Sequence, residues 1–242
     1  MTPEEFESTQ PPEEAPVNRN IYIVPFITSQ PEAPEEFNTR LRAYWQAVDK
    51  QLSQVEARAG IVNRVFHEAV TVSGDMGMKV VGQINQPAFE LIKSRVDAGA
   101  SLEAFDSDEL FSQVIDWSRC LQVGLTNRTV AGEIQERYQK AAAERYEQMG
   151  RALDSKLRSN ENGLVILSST QEVKMPEGAE QYHIVPPELD ELIRWTREYN
   201  ERVQQQAQQA EAGAQASGQG QQGAQSGSGE GGGSGLWTPG SR

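Results

Sequence analysis

Apolar residues along the chain fall into periodic blocks separated by polar turn signals. Asn20–Ile27 (NIYIVPFI) is a run of β-branched and aromatic residues, which predicts a strand with Pro25 near its end or on an edge. Past the SQPEAPEEF segment, Leu41, Trp45, Val48, Leu52, Val55 and Ala59 recur at spacings of 4, 3, 4, 3 and 4. That is one stripe of a helix that opens near Pro34 and stops at Gly60. Ile61–Val72 (IVNRVFHEAVTV) reads as a second strand. Strand, helix, strand in succession predicts parallel pairing through a right-handed crossover. Residues 73–77 then read as a loop.

The middle of the chain is helical. Pro87 opens a helix that carries Leu91, Ile92 and Val96 and ends near Gly99. Asp106-x-x-Glu109 has the form of a capping box with Asp106 as the cap, ahead of a helix that buries Leu110, Phe111, Val114, Ile115, Trp117 and Leu121. Asn127 or Thr129 starts a long helix over residues 128–160, with Ile134, Tyr138, Ala142, Met149, Leu153 and Leu157 inside and Gly150 as a bend. Gly163–Ser168 is a continuous apolar run that suits a strand covered on both faces. Residues 171–176 read as a short edge strand and 181–185 as another. Pro186-Pro187 opens a final helix with Leu189, Leu192, Ile193, Thr196, Tyr199 and Val203 on one side. The expected fold is α/β or α+β, a small, mostly parallel sheet of three to five strands packed by about five helices.

Composition divides the chain further. Residues 1–16 hold five Glu, four Pro and no Lys or Arg, and residues 204–235 contain only Gln, Ala, Glu, Gly and Ser. Neither segment has the apolar content to offset the entropy of ordering, so both are expected to be disordered tails flanking a single domain over 17–203. No apolar run of about 18 residues is present, so no membrane insertion is expected. The start, MTPEEFESTQ, lacks the basic and apolar parts of a secretory signal. Cys120 is the single cysteine, which precludes an intrachain disulfide. These features suit a cytoplasmic protein. A net charge of -13 disfavours nucleic acid as a partner, because phosphate binding needs clustered Lys and Arg. Glu133, Glu136, Arg137, Lys140, Glu144 and Arg145 alternate in sign and read as a solvated helix face.

Candidate chemistry is sparse. The motifs GxxxxGK[ST], HExxH and GxSxG are absent, and no GxGxxG follows a strand-like run, so no cofactor is expected. One Cys rules out a cysteine-ligated zinc site, and Asp106-x-Asp108-Glu109 lacks the calcium-loop pattern, so no metal is expected either. His67, Glu68 and His183 are the candidate catalytic residues, placed in strands whose carboxyl ends are the usual ligand edge. Alternation puts His67 with Val65 and Ala69, and Glu68 with Phe66 and Val70. A structural role for the pair would have Arg64, Arg119 or a backbone group satisfy it. Trp117, between Asp116 and Arg119, and Trp195, between Arg194 and Arg197, suit a core edge with a stacked guanidinium or a protein-binding patch. Leu236, Trp237 and Pro239, in the segment 236–242, form a candidate C-terminal recognition peptide on a Gln/Gly/Ser tether. The expected function is a protein-interaction (adaptor or scaffold) role with a protein partner. The alternative is a small-molecule hydrolase or other enzyme using histidine and carboxylate at the sheet edge.

Overall fold

The strand β1 (Asn20–Pro25) lies inside a sheet of five strands, all parallel, in the order β3-β2-β4-β1-β5. The computed structural model describes residues 19–29, 32–169 and 171–218, the stretch 210–218 by backbone alone. In chain order the other elements are α1 (Glu35–Ala59), β2 (Arg64–His67), α2 (Gly74–Ile84), α3 (Gln86–Asp97), β3 (Ser101–Glu103), α4 (Asp108–Gln122), α5 (Arg128–Lys156), β4 (Asn162–Leu167), β5 (Glu180–His183) and α6 (Pro187–Gly218). The fold is α/β, with a helical layer on each face of the sheet.

Alternation along the strands divides the core in two. Tyr22, Val24, Val65, Leu164 and Ile166 face α1, α3 and α6, where they meet Leu41, Trp45, Leu52, Ile92 and Leu192. Ile21, Ile23, Phe66, Val165 and Leu167 face α5, against Met149, Leu153 and Leu157. Both faces of the sheet at its central strands β1 and β4 are therefore dry, which is why residues 164–167 form an unbroken apolar run. Progress from β1 to β2 to β3 runs one way across the sheet, and progress from β3 to β4 to β5 runs back. A single handedness of crossover requires the two sets of connections to use opposite faces, and they do. The stripe on α1 is internal, with Trp45 only 2% exposed and its indole N–H donating to the carbonyl of Ile27 at 3.2 Å.

Several boundaries differ from the sequence expectation. β2 is only four residues long, because Ala69 takes a left-handed φ of 67° and turns the chain off the sheet. A helix, α2, occupies the place of the expected loop. Its Gly77 marks a close approach, since a Cβ there would lie 2.4 Å from the carbonyl oxygen of Val72. β3 is an additional strand whose three residues are too few for a periodic signal. Ser107, and not Asp106, caps α4, accepting from the Leu110 N–H at 3.3 Å. Residues 171–176 are no strand. They pass over α5 at Gly150, where a Cβ would lie 2.9 Å from the Lys174 carbonyl oxygen, so this glycine serves a close approach. α6 continues past Val203 through Gly218 on Gln and Ala, both good helix formers. Residues 1–16, 219–235 and the peptide 236–242 lie outside the described residues. Among the described residues no helix is long and apolar enough to cross a membrane.

Candidate functional site

In an open parallel sheet, ligands gather beyond the carboxyl ends of the strands, where neighbouring strands send their connections in opposite directions. Here β1 and β4 are neighbours. β1 leads towards β2 on one side, and β4 leads towards β5 on the other. Beside this point the carboxyl end of β2 carries the densest set of buried polar groups: His67, Glu68, Asp106 and Arg145, with Asn85 next to them.

His67 points into the α1 and α3 layer and is fully buried. Its Nδ1 lies 2.5 Å from the Glu68 carbonyl oxygen, so Nδ1 carries the hydrogen and donates. Nε2 then accepts from the Asn85 amide at 3.3 Å, while the Asn85 carbonyl oxygen accepts from the Ala88 N–H and caps α3. The Phe26 ring meets the imidazole edge-on at 4.8 Å. Burial pushes the His67 pKa down to about 4, against the hydrogen bond to the Glu68 carbonyl and the Glu68 charge. The ring is therefore neutral at neutral pH.

Glu68 points the other way, into the α5 layer. Its Oε2 accepts from the Ser168 N–H at 2.6 Å, and its Oε1 accepts from Arg145 Nη2 at 3.2 Å. Asp106 Oδ1 accepts from Arg145 Nε at 2.8 Å and from the Ser107 N–H at 2.8 Å. Asp106 Oδ2 accepts from the Ala69 N–H at 2.9 Å and from Arg145 Nη2. The Phe111 ring closes over the guanidinium at 4.9 Å. Burial works against the charge on Arg145, yet the hydrogen bonds and charge of Asp106, with that of Glu68, outweigh it and hold the group above its ordinary value. The cluster ties β2, the β4 terminus and the strained Ala69 turn to α5.

Arg145 is the residue that sequence reasoning misplaced. It belongs to a charge-alternating stretch and was expected in solvent, but it is 1% exposed. One signal was present: Ala141, Arg145, Met149 and Leu153 recur every four residues, so Arg145 shares the inner stripe. Of the proposed satisfiers, Arg64 instead pairs with Glu103 and Glu161, and Arg119 with Asp116.

The three candidate catalytic residues occupy three environments. His67 and Glu68 are on opposite faces, as alternation requires. His183 is exposed on β5, in register with Ile23 and hence on the α5 face. Two strands separate β2 from β5, which puts the two histidine backbones about 14 Å apart. Trp195 is 7% exposed between α1 and α6, stacked on Tyr199 at 5.1 Å with Arg40 over it. Trp117 is half-buried on α4, with the Arg137 guanidinium 5.6 Å from its ring. Leu236, Trp237 and Pro239 lie outside the described residues. Among the described residues no group of three or more His, Cys, Asp or Glu is placed to hold a metal ion.

A second feature stands at the same edge. α4 and α5 form an antiparallel hairpin. Val114 is the one buried residue of α4, and α5 has none before Ala141. The first thirteen residues of α5, about 20 Å of helix, therefore extend beyond the covered body. At the turn, Val123 is 79% and Val130 44% exposed. From Trp117 to Gly132 the chain carries Arg119 and Arg128 and no acidic residue. Comparison with known proteins finds no matching family model, no matching curated protein and no matching solved structure.

Proposed function

We propose that this chain is a protein-interaction module of the adaptor or scaffold kind. Its docking face is the end of the α4–α5 hairpin, and residues 236–242 serve as a second, tethered binding element. The observation that carries this reading is the pair of exposed valines, Val123 and Val130, at the tip of a hairpin that packs mainly on itself. Apolar side chains left in water at the end of a projecting element offer a surface that another protein can cover. The buried polar cluster supports the same reading. Arg145, Asp106 and Glu68 are engaged with one another and with backbone groups, so they suit a lock that fixes the hairpin against the sheet.

The test is photo-crosslinking from a reactive group at Thr126, in cells that contain the protein. A discrete adduct with a protein, lost when Val123 and Val130 are both replaced by Asp, is the expected result. No adduct, or one indifferent to the two replacements, overturns the reading.

A further inference from the structure

We infer that the partner of the hairpin tip is the acidic segment 1–16 of a second copy of this chain. This deepens the interaction reading above and rests on it. Within a chain of net charge -13, the tip between Asp116 and Glu133 carries two bases, Arg119 and Arg128, and no acid, beside the exposed Val123 and Val130. Its complement is an acidic peptide with an aromatic anchor. Segment 1–16 offers five Glu, no base, and Phe6 held between Glu5 and Glu7. Phe6 would cover the valines and the flanking glutamates would meet the arginines. Arg119 bonds Asp116 at 3.3 Å, but both side chains are over 70% exposed, a weak pair that a better-placed carboxylate displaces.

Reach makes the donor a second copy. Arg19 bonds Asp154 at 2.7 Å, which fixes the start of β1 beside the far end of α5. Asp154 and Arg128 are 26 residues apart on one helix, about 39 Å. Phe6 precedes Arg19 by thirteen residues, which span about 45 Å only when fully extended. A flexible chain of that length spans about 20 Å. The segment falls short of its own tip unless stretched almost straight. Two copies laid antiparallel about a two-fold axis remove the difficulty, since each tip then sits beside the other copy's Asp154 and each segment crosses a short gap. The same contact is made twice, as a closed two-fold dimer requires.

The experiment is sedimentation of the full chain at low and high salt, alongside a chain lacking residues 1–16 and the double variant Arg119→Glu/Arg128→Glu. The expected result is a dimer at about 0.05 M salt, weakened at least tenfold at about 0.5 M, with both altered chains monomeric under the same conditions. The tip is exposed, so neither change disturbs the core. A third chain, Glu4→Lys/Glu5→Lys/Glu7→Lys, is expected to be monomeric alone and to pair with the double variant on mixing, because both contacts then unite opposite charges. A monomer at every salt, a dimer indifferent to loss of residues 1–16, or no recovery on mixing overturns the inference. A monomeric chain that still gives the valine-dependent adduct from Thr126 removes the self-partner alone. A monomeric chain with no adduct removes the interaction reading as well.

Discussion

Arg145 on α5 grips Asp106, the residue just before the α4 N-cap, through two guanidinium nitrogens, Nε to Oδ1 at 2.8 Å and Nη2 to Oδ2. Asp106 lies in the connection that leads into α4 and Arg145 lies on α5, and Glu68 just past β2 joins them from the sheet. The orientation of the hairpin is thus set by a buried ion cluster at its base.

Removing the guanidinium leaves two buried carboxylates, each still bonded to backbone N–H groups, without their countercharge. Arg145→Ala is expected to cost about 3–5 kcal/mol, read from the urea midpoint at constant slope. The triple replacement Arg145→Met/Asp106→Asn/Glu68→Gln removes the charges together and is expected to recover a large part of that loss. A single variant as stable as the parent would show that the cluster is solvated in solution.

His67 supplies a pH dependence with a definite sign. Its pKa falls from 6.5 to about 4 on burial, so between those values the unfolded chain takes up a proton that the folded chain refuses. This contribution is full above pH 6.5 and is lost progressively as the pH falls to about 4, a change on the order of 3 kcal/mol. Chemical denaturation at several pH values across the window checks it. His67→Gln keeps an amide in place of the ring and is expected to flatten the slope there. An equal slope in parent and variant would assign the acid sensitivity to other groups.

Trp45→Ala is expected to destabilise the fold by about 3–5 kcal/mol, the usual range for truncating a buried aromatic. Trp45 packs on Tyr44 at 5.2 Å and also holds the chain after β1 through its bond to Ile27. An unchanged denaturation midpoint would place this stripe in solvent.

Ala69→Gly is expected to raise stability by about 0.5–1 kcal/mol, because a left-handed φ strains any side chain with a Cβ. The Ala69 N–H bond to Asp106 is retained in the variant. A lower thermal midpoint for Ala69→Gly would mean that the turn is less strained than its φ of 67° implies.

The parts legible in the sequence share one property: a long, consistent period. The Leu41–Ala59 stripe, the long helix with Met149, Leu153 and Leu157 inside, and the apolar run over 164–167 each repeat a signal over several turns or strand steps. The candidate site was legible in part. His67 and Glu68 stood out as polar residues in a β-branched setting, and alternation separated them correctly. Their partners did not stand out. Asp106 resembles a helix cap because it precedes one, yet Ser107 performs that task and frees the carboxylate for Arg145. Arg145 hides in a row of surface charges, since a charge pattern along a helix does not say which member turns inward. The hairpin tip carries no signal in the sequence because its turn residues are ordinary; their exposure depends on where α4 and α5 end relative to the sheet.

The interleaved strand order also bears on how the chain comes to be folded. β1 pairs with β4 and β5, and β2 pairs with β3 and β4, so β1 and β2 never touch. A chain emerging from the ribosome can join β2 to β3 early, but β1 has no neighbour until residues 162–167 arrive. β4 is the keystone that enters between β1 and the β2–β3 pair, and β5 adds to β1 after it. Such late, long-range closure is slow. Until it happens Ile21, Ile23 and Val24 lack their strand neighbour. Loss of the chain beyond Asn160 would strand them in an apolar segment with no sheet to join, the kind of species that chaperones hold.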